Sequence, residues 1–192
     1  MGRIISTKRT VAPVQLDQVK DHIRLDIDDD AVLLSTYIDA ATDYIETRCN
    51  ISLVSTTHTL TFDAWPCDFI ELERGPVTSV TSVKYYTGGV LTTFSSSSYR
   101  VNTTVRNAQI KLVDGDSWPS HDTRDDAIEV IYVAGAASEA TVDPRAKVLI
   151  YWLVGHWYEN REAASDVALT MLPLAQETMI EQLRIPAAKQ VR

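Results

Sequence analysis

Apolar side chains at Leu16, Val19 and Ile23 form an i, i+3, i+7 stripe that predicts a short helix over 16–25, with Pro13 closing off the segment before it. A second helical stripe runs through Leu34, Tyr37, Ile38, Ala41, Tyr44, Ile45 and Arg48, behind Asp28, Asp29 and Asp30. Carboxylates there can accept from free N–H groups and meet the positive end of a helix dipole, so a long helix is expected from about Asp29 to Cys49. After Asn50 the period changes to two, as in Thr57-His58-Thr59-Leu60-Thr61-Phe62 and Thr81-Ser82-Val83-Lys84-Tyr85-Tyr86. Strands are expected near 53–62, 69–73, 79–86, 90–94, 108–112 and 127–134. Trp65-Pro66, Gly75-Pro76 and Asp114-Gly115 break the runs, and Gly88-Gly89 signals a hairpin. The short run Ser95–Ser98 reads as a loop or strand edge, not as a linker.

Helix returns at Asp143-Pro144, where Asp suits the N-cap and Pro the first helical position, and should run to about Asn160. Its stretch from Val148 to Tyr158 is apolar nearly all the way round, whereas a surface helix shows one polar face. Tyr151, Trp152, His156, Trp157 and Tyr158 are therefore expected to be covered on more than one side, partly by a neighbouring subunit. A last amphipathic helix is expected from Leu172-Pro173-Leu174 to Leu183, followed by a basic tail. The fold class that follows is α+β: a helical bundle core, made of the N-terminal long helix and two C-terminal helices, with an inserted antiparallel β region. The expected organisation is an arm over 1–12, core helices over 13–50, the β region over 51–135, core helices over 143–184 and a C-terminal arm over 185–192.

The chain has 192 residues, 45% hydrophobic and 23% charged, enough for one domain with a sizeable core. A formal net charge of -8 and a pI of about 4.9 give no basic footprint for neutralising phosphates, which argues against specific nucleic-acid binding. Cys49 and Cys67 have no CxxC spacing and read as free thiols. The N-terminus lacks the apolar core of a signal peptide and the longest apolar run is too short to span a bilayer, so a soluble, cytoplasmic protein without membrane contact is expected.

Chemistry-bearing constellations are weak. Asp26-x-Asp28-x-Asp30 lacks the Gly and Glu of a calcium loop, with Ala31 and Tyr37 at those places. His156 with Glu159 and Glu162 lacks a second histidine, so a ring packed in a buried helix is the preferred reading over a metal ligand. Ser117, His121 and Asp122 share one loop without the elbow of a hydrolase. Acidic pairs such as Asp125-Asp126, or Glu71 with Glu73, are commonly solvated, and no phosphate-binding glycine motif occurs. Neither an enzyme nor a cofactor is expected.

Pro13-Val14-Gln15-Leu16 is followed by Val19-Lys20 and His22-Ile23-Arg24-Leu25-Asp26, by the acidic Asp28–Asp30, and by the helix through Ile38-Asp39-Ala40-Ala41 to Ile45-Glu46. This order resembles that of the tailed-phage and gene-transfer-agent head-tail connector (adaptor) proteins. It continues in Leu72-Glu73-Arg74-Gly75-Pro76-Val77-Thr78-Ser79-Val80 and in His156-Trp157-Tyr158-Glu159-Asn160-Arg161-Glu162 before Leu172-Pro173, covering about 13–186. Gln15 stands where a better capping residue is usual, and Asn50 where Gly often closes the helix.

The resemblance implies a non-enzymatic virion protein of the particle neck, made in the host cytoplasm. It implies a twelve-subunit ring docked on the portal protein, which extends the DNA channel and carries the stopper or tail-completion protein. Double-stranded DNA would pass through without specific binding, helped by an acidic lumen. For portal contact the candidates are Ile185, Pro186, Lys189, Gln190, Val191 and Arg192, in an arm that orders on docking. Two other readings remain: a host- or carbohydrate-binding β module of a phage tail presenting Trp65 or Trp118, and a hydrolase using the 117–122 loop.

Overall fold

The computed structural model describes residues 3–7, 9–25, 30–105, 107–160 and 174–187. Helix α1 spans Leu16–Ile23. The side chain of Gln18 accepts the Gln15 N–H at 3.1 Å, which ties down one orphan donor at its start. The helix stops where Arg24 turns left-handed, at φ 56°, and the Leu25 N–H bonds back to the Lys20 carbonyl at 3.0 Å. Helix α2, Ala31–Cys49, buries Leu34, Ile38, Ala41, Ile45 and Cys49 along one stripe. Asn50 ends it at φ 55°, a conformation asparagine tolerates. Helix α3, Pro144–Glu159, starts as its sequence predicts: the Asp143 carboxylate accepts the Arg145 N–H at 2.9 Å, with Pro in the first turn. Helix α4 covers Leu174–Leu183. α3 packs on α1, α2 and α4, and its Leu149, Ile150 and Val154 join Val19, Leu34 and Ile45 in one core.

Between α2 and α3 the chain builds two antiparallel sheets. β1 (Arg3–Ser6), β2 (Thr56–Phe62), β4 (Val77–Thr87), β5 (Val90–Thr93) and β8 (Ile128–Ala134) form a five-stranded sheet in the order β1-β2-β8-β4-β5. β3 (Phe69–Glu71), β6 (Tyr99–Asn102) and β7 (Gln109–Leu112) form a second sheet in the order β3-β7-β6. β8 is central, with Val130 opposite both Leu60 and Val83, and its alternate residues Ile128, Val130, Tyr132 and Ala134 are buried. A second core gathers these with Leu60, Ile70, Leu72 and Ile110. Buried Tyr132 keeps its hydroxyl satisfied by donating to the Glu73 carbonyl at 2.7 Å.

The two cores meet at a narrow joint. Ile51 bridges Gly75, Val54 bridges Ala136, and Ser55 N–H donates to the Ala136 carbonyl at 2.8 Å. Gly135 lies here at φ +101°, where a Cβ would stand 2.2 Å from the Val54 carbonyl oxygen; only glycine fits.

The α+β class stands, with two revisions of detail. The first residues were expected as an arm, but Arg3–Ser6 pair with Thr61–His58 as a sheet edge. Residues 99–102, outside the expected strands, form β6 after a single 3-10 turn at Ser96–Ser98.

Candidate interaction surfaces

The aromatic residues of α3 find their partners inside the subunit. Tyr151 stacks on His22 of α1 with ring centroids 5.5 Å apart, and its hydroxyl donates to Gln18 Oε1 at 3.1 Å. Trp157 meets Tyr37 of α2 edge-on at 6.0 Å, and the Tyr158 hydroxyl donates to Asp30 at 2.7 Å. Trp152 is half-buried against the same core. His156, expected inside, is exposed, with Nδ1 3.3 Å from the Asn160 amide nitrogen. α1, α2 and α4 cover much of α3 from within the subunit, while Tyr151, Trp152, Trp157 and Tyr158 keep part of their surface exposed. The exposed apolar residues lie elsewhere, Val32 at 82%, Val90 at 64% and Ile5 at 51% among them.

The C-terminal candidates divide. Ile185 is buried in the helical core and its N–H donates to the Cys49 carbonyl at 2.7 Å, so it belongs to the body and not to an arm. Pro186 is exposed, but its carbonyl accepts from Asn50 and Asn107, which straps the chain across the joint. Lys189, Gln190, Val191 and Arg192 lie outside the described residues, as do Asp26, Asp28, Asp29 and Glu162.

A polar site that the sequence reading missed lies between β1 and α2. Arg9 reaches Asp39 at 3.0 Å, Asp43 at 2.5 Å and Glu46 at 3.7 Å. Burial works against its charge, but hydrogen bonds to Asp43 and Asp39 outweigh this and hold its pKa above the ordinary value. Glu46 is pushed up by burial, although it accepts the Leu53 N–H and faces Arg9. Beside this cluster, in an open cavity of about 550 Å³, His58 lies between Ser6 Oγ and Ser52 Oγ. Burial, and then the charge of Arg74, lower its pKa to about 4. The signal available in the sequence was the spacing of Asp39, Asp43 and Glu46 on one helix face; nothing local assigned them an arginine thirty residues away.

At the end of the sheets far from the helices, the loops 63–68 and 113–126 carry Asp63, Asp68, Asp114, Asp116, Asp122, Asp125 and Asp126 against the single cation Arg124. That difference is most of the chain's net charge of -8. His121 and Asp122 of this region have structural tasks. Both Asp122 carboxylate oxygens accept from the hairpin turn, Gly88 N–H at 2.9 Å and Gly89 N–H at 2.7 Å, and His121 stands edge-on to Trp65. Trp65 and Trp118, expected in a ligand platform under the alternative reading, stack on one another at 4.6 Å, and Trp65 Nε1 donates to the Pro119 carbonyl. Among the described residues no group of His, Cys, Asp and Glu is arranged to hold a metal, and no helix is long and apolar enough to cross a membrane.

The family of phage gp6-like head-tail connector proteins matches residues 13–112, just over half of the chain. Solved structures with the same fold include one described as the neck of an empty GTA particle computed with C6 symmetry, with TM-score 0.79 and 24% identity over 96% of this chain and 97% of that one. Another is the virion of a native gene transfer agent (GTA) particle, with TM-score 0.80 and 22% identity over 97% of each chain. A third is the neck of a native GTA particle computed with C12 symmetry, at 0.77 and 23% over 97% of each. At these identities the likeness is one of fold. No curated protein gives a significant match.

Proposed function

The chain belongs to the phage gp6-like head-tail connector family, and from that premise we propose that it is a structural adaptor ring between the portal and the stopper or tail-completion protein of a tailed particle. Its work is assembly: it extends the channel through which double-stranded DNA leaves, without a cofactor and without bond-making. In this reading the protein is made in the host cytoplasm and ends in the virion neck, and twelve copies form the ring. The family match carries the reading, and fold likeness to chains of GTA necks solved with six- and twelve-fold symmetry supports it.

The distribution of charge supports the channel. Seven aspartates gathered on the loops far from the helices would give a ring a strongly negative rim, and polyanionic DNA does not adhere to such a surface. We assign that rim to the lumen. The portal contact is assigned to Lys189, Gln190, Val191 and Arg192, whose cations suit an acidic surface. Because Ile185 is a core residue, the informative truncation removes residues after Ala187.

Electron microscopy of particles made with the full chain, with the chain truncated after Ala187 and without the chain tests the proposal. A ring of density below the portal in the first, a weakened ring in the second and unjoined heads and tails in the third are expected. Particles that join heads to tails normally without the chain would refute the connector role, and a lumen lined mostly by Lys and Arg would refute the assignment of the rim.

A further inference from the structure

Strand β5 is the open edge of the five-stranded sheet, and it lacks the devices that normally protect one. From Tyr85 through Tyr99 the sequence has no charged residue and no proline. The irregularities of β4 fall between Val77 and Ser82, on its pairing with β8 and before the stretch that pairs with β5. Natural edge strands are blunted by lysine, proline or a bulge because unpaired N–H and C=O groups otherwise recruit another strand. Register shows which groups are available. Phe94 N–H donates to the Val83 carbonyl at 2.8 Å, and Thr92 and Val90 face Tyr85 and Thr87, so the main-chain groups of Leu91 and Thr93 point outward. Val90 is 64% exposed at the start of this edge.

The opposite edge, β1, is its complement. Thr7 N–H donates to the Thr57 carbonyl, which puts Ile5 and Arg3 on the paired side and turns the main-chain groups of Ile4 and Ser6 outward. Each neighbouring pair in the order β1-β2-β8-β4-β5 is antiparallel, so β1 and β5 run in the same direction, from the acidic loops toward the helices. Arg3 therefore stands at the acidic end of its edge, and the turn held by Asp122 stands at the same end of the other edge. Neighbours in a twelve-fold ring differ by a rotation of only about 30°, so one copy's β5 would meet the next copy's β1 near parallel, cation toward carboxylates.

We infer that neighbouring copies of this chain join edge to edge, β5 of one receiving β1 of the next. The contact is heterologous, so repetition closes a ring or grows a filament and does not stop at a dimer. The inference rests on the ring reading for its partner, and it specifies the surface that reading left open.

The test uses the full chain at increasing concentration, followed by native mass spectrometry and sedimentation. Thr93→Pro removes an outward N–H that the subunit itself does not use, Thr93→Lys adds the missing edge charge, and Arg3→Glu reverses the complementary one. Circular dichroism confirms that each variant is folded. Both Thr93 variants should shift self-association to at least about tenfold higher concentration, and Arg3→Glu by a smaller factor. With Cys67→Ser as background, Ile5→Cys together with Thr93→Cys should give disulfide-linked oligomers larger than dimers on oxidation. Unchanged association of both Thr93 variants with no such linkage would overturn the edge contact while leaving the ring intact. A wild-type chain that is monomeric at millimolar concentration, or that stops at a dimer, would also overturn it, and family membership would be unaffected.

Discussion

Acidification should remove stability that one buried ring holds. His58 is 2% exposed, with Nδ1 2.8 Å from Ser6 Oγ and Nε2 2.7 Å from Ser52 Oγ. Both hydroxyls can accept from a protonated ring, but loss of solvent and the nearby Arg74 charge win, and the pKa falls from 6.5 to about 4. Between those values the unfolded chain binds the proton and the folded one does not, so the contribution is complete above pH 6.5 and is lost as pH falls toward 4. At about 1.4 kcal/mol per decade of protonation equilibrium, this amounts to roughly 3 kcal/mol between pH 7 and 4. For a chain of this size that corresponds to roughly 6–12 °C in Tm. Other carboxylates titrate in the same range, so the comparison must be with His58→Gln, which keeps hydrogen-bonding capacity and does not titrate. Urea unfolding at both pH values should show the wild type losing about 3 kcal/mol more than the variant. Parallel pH dependence in the two proteins would refute the reasoning and mean that the ring is no harder to protonate in the fold than outside it.

Arg9→Ala should cost about 1–2 kcal/mol, because Asp39 and Asp43 are 59% and 70% exposed and screened while Glu46, at 14%, is left with one fewer partner; thermal melts at low and high salt should show the difference shrinking with salt, and identical melts would contradict the clamp. Gly135→Ala should cost about 3 kcal/mol or more, since the new methyl group meets the Val54 carbonyl at 2.2 Å; denaturant midpoints measure it, and a wild-type midpoint would show that the joint gives way freely. Cys67 is exposed and should react with a thiol reagent within minutes, whereas Cys49, buried and with its thiol pushed up to about 11, should react only on unfolding; two fast thiols in the native protein would contradict the buried end of α2.

Much of the fold was legible because its signals are local. The stripe ending at Cys49, the Asp143-Pro144 start of α3 and the Gly88-Gly89 turn all follow from neighbours a few residues apart, and each lies where its pattern predicts. What was missed depends on distant partners. Arg3-Ile4-Ile5-Ser6 is too short to declare itself a strand, and becomes one because β2 presents an edge. Tyr99–Asn102 follows a serine run and alternates for only four residues, so its state is decided by β7. The apolar ring of α3 announces a need for cover but not which side chains of its own subunit supply part of it, since His22, Gln18, Tyr37 and Asp30 declare nothing about α3 in their own sequence neighbourhoods. The candidate surfaces were less legible than the fold: the acidity of 113–126 is plain in the sequence, but the commitment of Asp122 to a turn thirty residues earlier is not.

Residues 3–7 and Arg9 add to the molecule's resistance to torsion. Residues 3–6 lie on the sheet, and Arg9, three positions later, grips the flank of α2, so a second strut spans the two cores beside the joint at Val54 and Ala136. A body fixed at one point swivels; fixed at several, the Pro186 strap among them, it transmits a twist applied at either end. Shortening the chain from its front would therefore remove one of the ties that stiffen the coupling.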